Sequence, residues 1–220
     1  MRSNIRYRYY LKYMHTRNII TAGKDLAAAD RALILLHGRG GSAEDILSLA
    51  DYLPVDGYAL LAPQATGHSW YPYSFLEPPV RNQPWLRLAL EGLNLLVEEV
   101  MAAGITRERI FLAGFSQGAC LTLEFAARNA ARYGGVAAFT GGLIGDRIYT
   151  ENYKGDFEGM PFFIGTGDRD PHVPLERVDA TVRLVRGMGA EVTEKVYPGR
   201  PHTIVADELE QAGKIVFGGK

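Results

Sequence analysis

Arg109 to Cys120, reading RIFLAGFSQGAC, constrains this chain more than any other stretch. Residues 110–113 are an apolar run with the look of a buried strand, and from residue 117 to about 132 small and apolar residues read as a helix. Gly114-Phe115-Ser116-Gln117-Gly118 must turn one into the other with no residue to spare. Such a G-x-S-x-G turn holds its serine in a strained, exposed position at the carboxyl end of a central strand. Glycine is expected at both ends because a Cβ there would strike the neighbouring helix or strand. Ser116 then sits at the amino end of the helix, where free N–H groups favour negative charge. The chain carries 25 glycines in 220 residues, so the pentapeptide alone is weak; the strand before it and the helix after it carry the argument.

The rest of the chain repeats the alternation. Strands are expected at residues 19–22, Ala32–Leu36, 58–62, 135–140, 161–165 and 192–197. Ser42 and Asp45 have capping-box spacing and open a helix to about residue 53. Pro84 suits the first position of a long helix whose stripe is read as Trp85, Leu88, Leu95, Leu96 and Met101, ending at Gly104. Pro174 starts a helix with Leu175, Val178, Val182 and Val185 on one face, and residues 204–217 form the last helix. The polar span 146–158 reads as a surface excursion. This alternation predicts an α/β fold, a mostly parallel central sheet with helices on both faces.

One domain is expected over residues 19–220, since no linker or composition break divides it. A net charge of −1 argues against a nucleic-acid partner. No apolar run reaches transmembrane length, so stable membrane insertion is not expected. The single cysteine, Cys120, suits a reducing, cytoplasmic setting and reads as a small core residue. Residues 1–18 stand apart. Arg2, Arg6, Arg8, Lys12 and Arg17 meet no acid there, while Ile5, Tyr7, Tyr9, Leu11 and Tyr13 alternate as on a half-buried strand. An edge strand of this kind has a free edge to pair, which makes a homodimer an expectation.

A serine hydroxyl needs a base within hydrogen-bond reach, and the base needs an orienting acid. His15, His37, His68, His172 and His202 compete for the first role. His172, two residues past Asp170, reads as lining the site, while Ser116, an aspartate and His202 reproduce the chain order nucleophile, acid, histidine, with Asp168 or Asp170 as the acid. Asp170 precedes Pro171 and is biased to an extended backbone that projects its carboxylate towards the histidine loop, whereas Asp168 follows Gly167 in a tight turn. A developing oxyanion would need the Gln117 N–H and one from the His37-Gly-Arg-Gly-Gly41 loop. That loop lacks the G-x-G-x-x-G and G-x-x-x-x-G-K-[ST] patterns of phosphate cradles. Residues 64–83 form a long Pro-rich loop, and substrate wall and core flap are equally open readings of its aromatics. As a wall it would supply Trp70, Tyr71 and Phe75, with Leu143, His172 and Val173 beside them.

Together, LILLHGRGGSAED, FLAGFSQGA, GTGDRDPHVP and PHT resemble the phospholipase/carboxylesterase family of α/β-hydrolases, over roughly residues 19–217. WYPYSFLEP is more similar to the small bacterial carboxylesterases of that family than to its acyl-protein thioesterases. The chain departs from the family pattern at Thr166, where histidine is frequent, and in the extension. The resemblance implies the α/β-hydrolase fold, a triad of Ser116, Asp170 and His202, an oxyanion hole from the Arg39 and Gln117 amides, and no metal or cofactor. It implies a small-molecule ester substrate. Acyl-thioester or lysophospholipid hydrolysis by the same triad is the near alternative, and a non-catalytic binding protein on the same fold the distant one.

Overall fold

Short apolar runs, too short for helices and bounded by Gly, Pro or charge, become strands, buried on both faces in the middle of the sheet and more exposed at its two edges. In the computed structural model, which describes residues 18–218, they form β1 (Ile19–Gly23), β2 (Ala32–Leu36), β3 (Ala59–Pro63), β4 (Ile110–Phe115), β5 (Gly135–Phe139), β6 (Pro161–Gly167) and β7 (Glu191–Tyr197). All join one sheet in the order β1-β3-β2-β4-β5-β6-β7. β1 runs antiparallel to β3; the remaining neighbours are parallel. The mostly parallel sheet expected from the alternation is therefore present. The strand and dimer edge expected in the extension fall outside the described residues.

The helices are α1 (Ala43–Leu47), α2 (Trp85–Ala102), α3 (Gln117–Arg128), α4 (Leu175–Gly187) and α5 (Ala206–Val216). Period-two alternation sorts them onto two faces. Ile34 and Leu36 pack with buried residues of α2, α3 and α4. Leu33 and Leu35 pack on the other face with Ala43 and Ile46 of α1 and Leu209, Ala212 and Val216 of α5. Ser42 caps α1 through the Asp45 N–H, and Asp45 returns the bond to the Ser42 N–H, as their spacing predicts. A 3₁₀ segment, Ser48–Tyr52, continues the turn.

Two readings need correction. The stripe of α2 is rotated from the expected one: Trp85, Leu95 and Met101 are 39%, 42% and 38% exposed. The buried face is Leu86, Ala89, Leu93, Leu96, Val97 and Val100, with Leu88 and Gly92 also covered. Apolar pairs at 85/86, 95/96 and 100/101 leave the phase ambiguous, and Ala89 and Gly92 mark the face where a neighbour comes close. The span 146–158 is not a free excursion either, because Phe157 is fully buried and Tyr153 nearly so. The Tyr153 hydroxyl donates to the buried Glu124 carboxylate at 2.9 Å.

The turn from β4 to α3 fixes where the fold can carry chemistry. A Cβ on Gly114 would lie 2.6 Å from the carbonyl carbon and oxygen of Gly118, and one on Gly118 would run into the Leu36 carbonyl of β2. Both are contacts with backbone, which cannot give way by a rotamer change. Gly118→Ala is expected to cost about 1–3 kcal/mol or more, the scale of overpacking. Gly187→Ala, with nothing within 4 Å of its Cβ, should be neutral or stabilise by about 0.4–1 kcal/mol. Urea melts of the two variants check this, and equal midpoints would contradict the packing described.

Candidate active site

Ser116 links β4 to α3 with φ +55° and ψ −118°, a conformation that costs a non-glycine residue about 1–3 kcal/mol. Its backbone is held from both sides: its N–H donates to Phe139 O at 2.9 Å, and its carbonyl accepts from Cys120 N–H at 2.9 Å. The turn leaves the hydroxyl half-buried at the carboxyl edge of the sheet.

Two further loops leave the same edge. Asp170 follows β6, and His202 lies between β7 and α5. His202 Nδ1 is 2.6 Å from Asp170 Oδ2, and His202 Nε2 is 2.7 Å from Ser116 Oγ. A carboxylate on Nδ1 fixes the tautomer: Nδ1–H donates to Asp170, which leaves Nε2 free to accept from the serine. The Asp170 side chain is fully buried, and its other oxygen accepts from the His172 and Val173 N–H groups at 2.8 and 3.0 Å. Burial pushes this carboxyl up, but those N–H donors and His202 outweigh it and hold it below the usual carboxylate range. Asp168 does a different job, accepting the Gly199 N–H at 2.6 Å and so tying its loop to the histidine loop.

The other described histidines have structural partners. His37 is 1% exposed; its Nδ1 donates to Gly38 O at 2.7 Å, and its Nε2 accepts from the Ala65 N–H at 3.1 Å. Burial holds its pKa below the ordinary value. His68 Nδ1 lies 2.8 Å from Gly41 O. The His172 ring stands edge-on to His202, centroids 4.9 Å apart. His15 lies outside the described residues.

The aromatic loop is pinned by polar groups that periodicity does not reveal. The Gln117 side chain mimics a strand partner: its Oε1 accepts the Trp70 N–H at 2.9 Å and its Nε2 donates to Tyr71 O at 2.8 Å. The Arg39 guanidinium, on an exposed residue that borders the cavity, is engaged by the loop. It donates to Ser69 Oγ, Pro72 O and Tyr73 O at 3.0, 2.9 and 2.7 Å. Buried Asn82 bonds Tyr73 N–H and Ser74 O. The backbone N–H of Arg39 makes no hydrogen bond among the described residues, and that of Gln117, first in α3, has no acceptor within the helix.

A cavity of about 570 Å³ opens beside Ser116. Tyr71, Phe75, His172 and Val173 line it, with Ser116, Gln117 and His202. Trp70 and Leu143 do not belong to the lining. Trp70 is fully buried and gives its indole N–H to His37 O at 2.8 Å, and Leu143 is fully buried with its N–H on Thr181 Oγ1. The loop is thus core flap at Trp70 and wall at Tyr71 and Phe75. Pro72, Tyr73, Ser74 and Cys120 join the lining without a signal in the sequence. The Cys120 thiol is pushed up to about 12 by burial, which keeps it protonated. Among the described residues no cluster of three or more His, Cys, Asp or Glu side chains is arranged to hold a metal ion. No helix among them is long and apolar enough to cross a membrane.

The phospholipase/carboxylesterase family profile matches residues 16–216. The structure of a phospholipase/carboxylesterase from Dyadobacter fermentans is 52% identical and superposes with a TM-score of 0.91, covering 93% of this chain and 98% of that one. Acyl-protein thioesterase 1 of Eremothecium gossypii is 31% identical over 208 residues, 84% of this chain and 86% of that protein. The same enzyme of Gibberella zeae is 30% identical over 57% of this chain, and there the match spans only about half of the relative, 54% of its length. A profile match over nearly the whole chain, with a sheet and strand-end loops of this kind, leaves one conclusion: the chain belongs to the phospholipase/carboxylesterase family of α/β-hydrolases.

Proposed function

We propose that this chain hydrolyses carboxylic esters of small molecules by nucleophilic catalysis at Ser116, with His202 as base and Asp170 as the orienting acid. The observation that carries the reading is the continuous relay from Ser116 Oγ through His202 to Asp170, at 2.7 and 2.6 Å. As Ser116 Oγ attacks the ester carbonyl, His202 Nε2 takes its proton, and Asp170 stabilises the imidazolium that forms. The carbonyl oxygen, now an anion, turns towards the Arg39 and Gln117 N–H groups. The C–O bond to the alcohol breaks as His202 returns the proton to the leaving oxygen. Water, deprotonated by the same nitrogen, then releases the acid from the acyl-serine. Nothing in the relay distinguishes an alkoxide from a thiolate leaving group. A thioester substrate is the second reading, favoured by the relative from Eremothecium gossypii, which is named an acyl-protein thioesterase. A bound ligand without turnover would leave a strained serine and a relay in hydrogen-bond contact without use.

Ser116→Ala is expected to lower kcat on p-nitrophenyl acetate by about 10⁶, the cost of a lost triad nucleophile. A fluorophosphonate probe should label wild type at Ser116; label at Cys120, or label that survives in the variant, counts against the reading. A panel of p-nitrophenyl esters and acyl-CoAs of graded length then ranks ester against thioester.

The two aspartates should separate cleanly. Asp170→Asn is expected to cost about 10⁴ in kcat, because the amide stabilises the wrong tautomer. Asp168→Asn weakens one loop hydrogen bond and should cost about 1 kcal/mol of stability with far less effect on turnover. Saturating kinetics and parallel thermal melts decide, and an inactive Asp168→Asn beside a normal Asp170→Asn would reverse the assignment.

The aromatic loop divides in the same way. Trp70→Ala should destabilise by about 3–5 kcal/mol, as for a buried aromatic cut to alanine. Phe75→Ala should also shift acyl-length preference, at about 1–3 kcal/mol per methylene of fit. An unchanged ester profile in Phe75→Ala would assign that side chain to the core alone.

A further inference from the structure

A second polar cluster lies beneath the histidine loop and touches neither the cavity nor the relay. Arg200, two residues before His202, is 5% exposed, and Glu208 of α5 is fully buried. The Arg200 guanidinium forks: Nη1 donates to Glu208 Oε2, and Nη2 donates to Thr140 Oγ1 at 2.8 Å. Thr140 closes β5 and is itself held in the left-handed region, φ +59°, with its N–H on Gly165 O at 2.7 Å. The residue before it, Phe139, supplies the carbonyl that binds the Ser116 N–H. A path of direct bonds therefore runs from the His202 loop through Arg200 to Thr140, and by one peptide unit to the anchor of Ser116.

β6 is shaped to let this cluster in. A Cβ on Gly165 would strike the Glu208 carboxylate, and one on Gly167 would lie 2.5 Å from the Arg200 carbonyl oxygen. Stability is a poor account of the cluster. Burying an ion pair rarely repays its desolvation, and here Arg200 Nε and Glu208 Oε1 find no hydrogen-bond partner among the described residues. Burial pushes the Glu208 carboxyl up to about 7 against the pull of Arg200. What the cluster supplies is direction. A planar guanidinium with donors in a fixed fork sets two partners at once, which a lysine ammonium cannot do.

We propose that Arg200 is a positioning residue that, by bridging Thr140 and Glu208, fixes the His202 loop against the strand end holding Ser116 and so sets the Ser116–His202 distance. The proposal rests on the roles given above to Ser116 and His202. Asp168 and Asp170 tie the same loop to β6; Arg200 ties it across to β5, the strand that meets the serine.

The test uses kcat and KM on p-nitrophenyl acetate, thermal melts, and the downfield proton resonance of the His202–Asp170 hydrogen bond. The variants are Arg200→Lys, Arg200→Met, Thr140→Val and Thr140→Ser, with Ser116→Ala as reference. Arg200→Lys and Thr140→Val are expected to lower kcat by about 10- to 100-fold with KM changed by less than about threefold, the effect of a misplaced base rather than lost binding. The downfield resonance should shift or broaden in both. Thr140→Ser keeps the hydroxyl and should restore kcat and the resonance. Arg200→Met leaves Glu208 unpaired; if it fails to fold, Thr140→Val carries the test, because it removes the bond and keeps the volume. Wild-type kcat in folded Arg200→Lys and Thr140→Val, with only melting lowered, overturns the proposal while an inactive Ser116→Ala leaves the serine assignment standing. Equal losses in Thr140→Ser and Thr140→Val overturn it as well. Turnover in Ser116→Ala takes down both readings.

Discussion

A serine held at φ +55° is the constraint on which the site depends. The chain keeps it there because α3 is pressed against the end of β2 at Gly118, where no side chain fits, and because Gly114 lets the strand pass under the helix. Close-packed interiors compress little and transmit strain, and backbone in contact with backbone has no rotamer by which to give way. The strain at Ser116 is thus borne by the sheet, and the hydroxyl emerges at an edge that several loops can reach. The same turn starts α3, so the N–H of Gln117 is left without an acceptor within the helix, beside the serine.

The residues around the serine are tied to one another by side chains that look expendable in a sequence. Gln117 bonds the backbone of residues 70 and 71, Arg39 bonds carbonyls at 72 and 73, and Asn82 bonds residues 73 and 74. A loop without secondary structure has backbone groups to satisfy, and these three side chains satisfy them. Their effect is to seat Trp70 in the core and hold Tyr71 and Phe75 at the cavity wall. Arg39 and Gln117 thereby hold the loop by their side chains while both border the cavity.

The histidine loop is held from above and below. Asp170 and Asp168 reach it from the loop after β6, one at the imidazole and one at Gly199. Arg200 reaches down to β5 and α5. Loops left to themselves move over more than the tolerance that proton transfer allows, so a base on a loop needs fixed points on more than one strand.

The sequence by itself determined the alternation of strands and helices, the α1 cap, the glycines of the turn and the order in which serine, aspartate and histidine arrive, because each is written locally in periodicity, spacing or a missing Cβ. Even the phase of α2 was beyond it, since adjacent apolar pairs at 85/86 and 95/96 satisfy two faces equally until a neighbour selects one. Only the tertiary structure decided that Trp70 and Leu143 turn inward, that Arg39 clamps a loop, and that Arg200 meets a threonine 60 positions earlier. Those contacts join segments far apart in the chain through single polar side chains. Such a side chain has no period to betray its partner, and which carbonyl or carboxylate it finds is settled only when the sheet brings the loops to one edge.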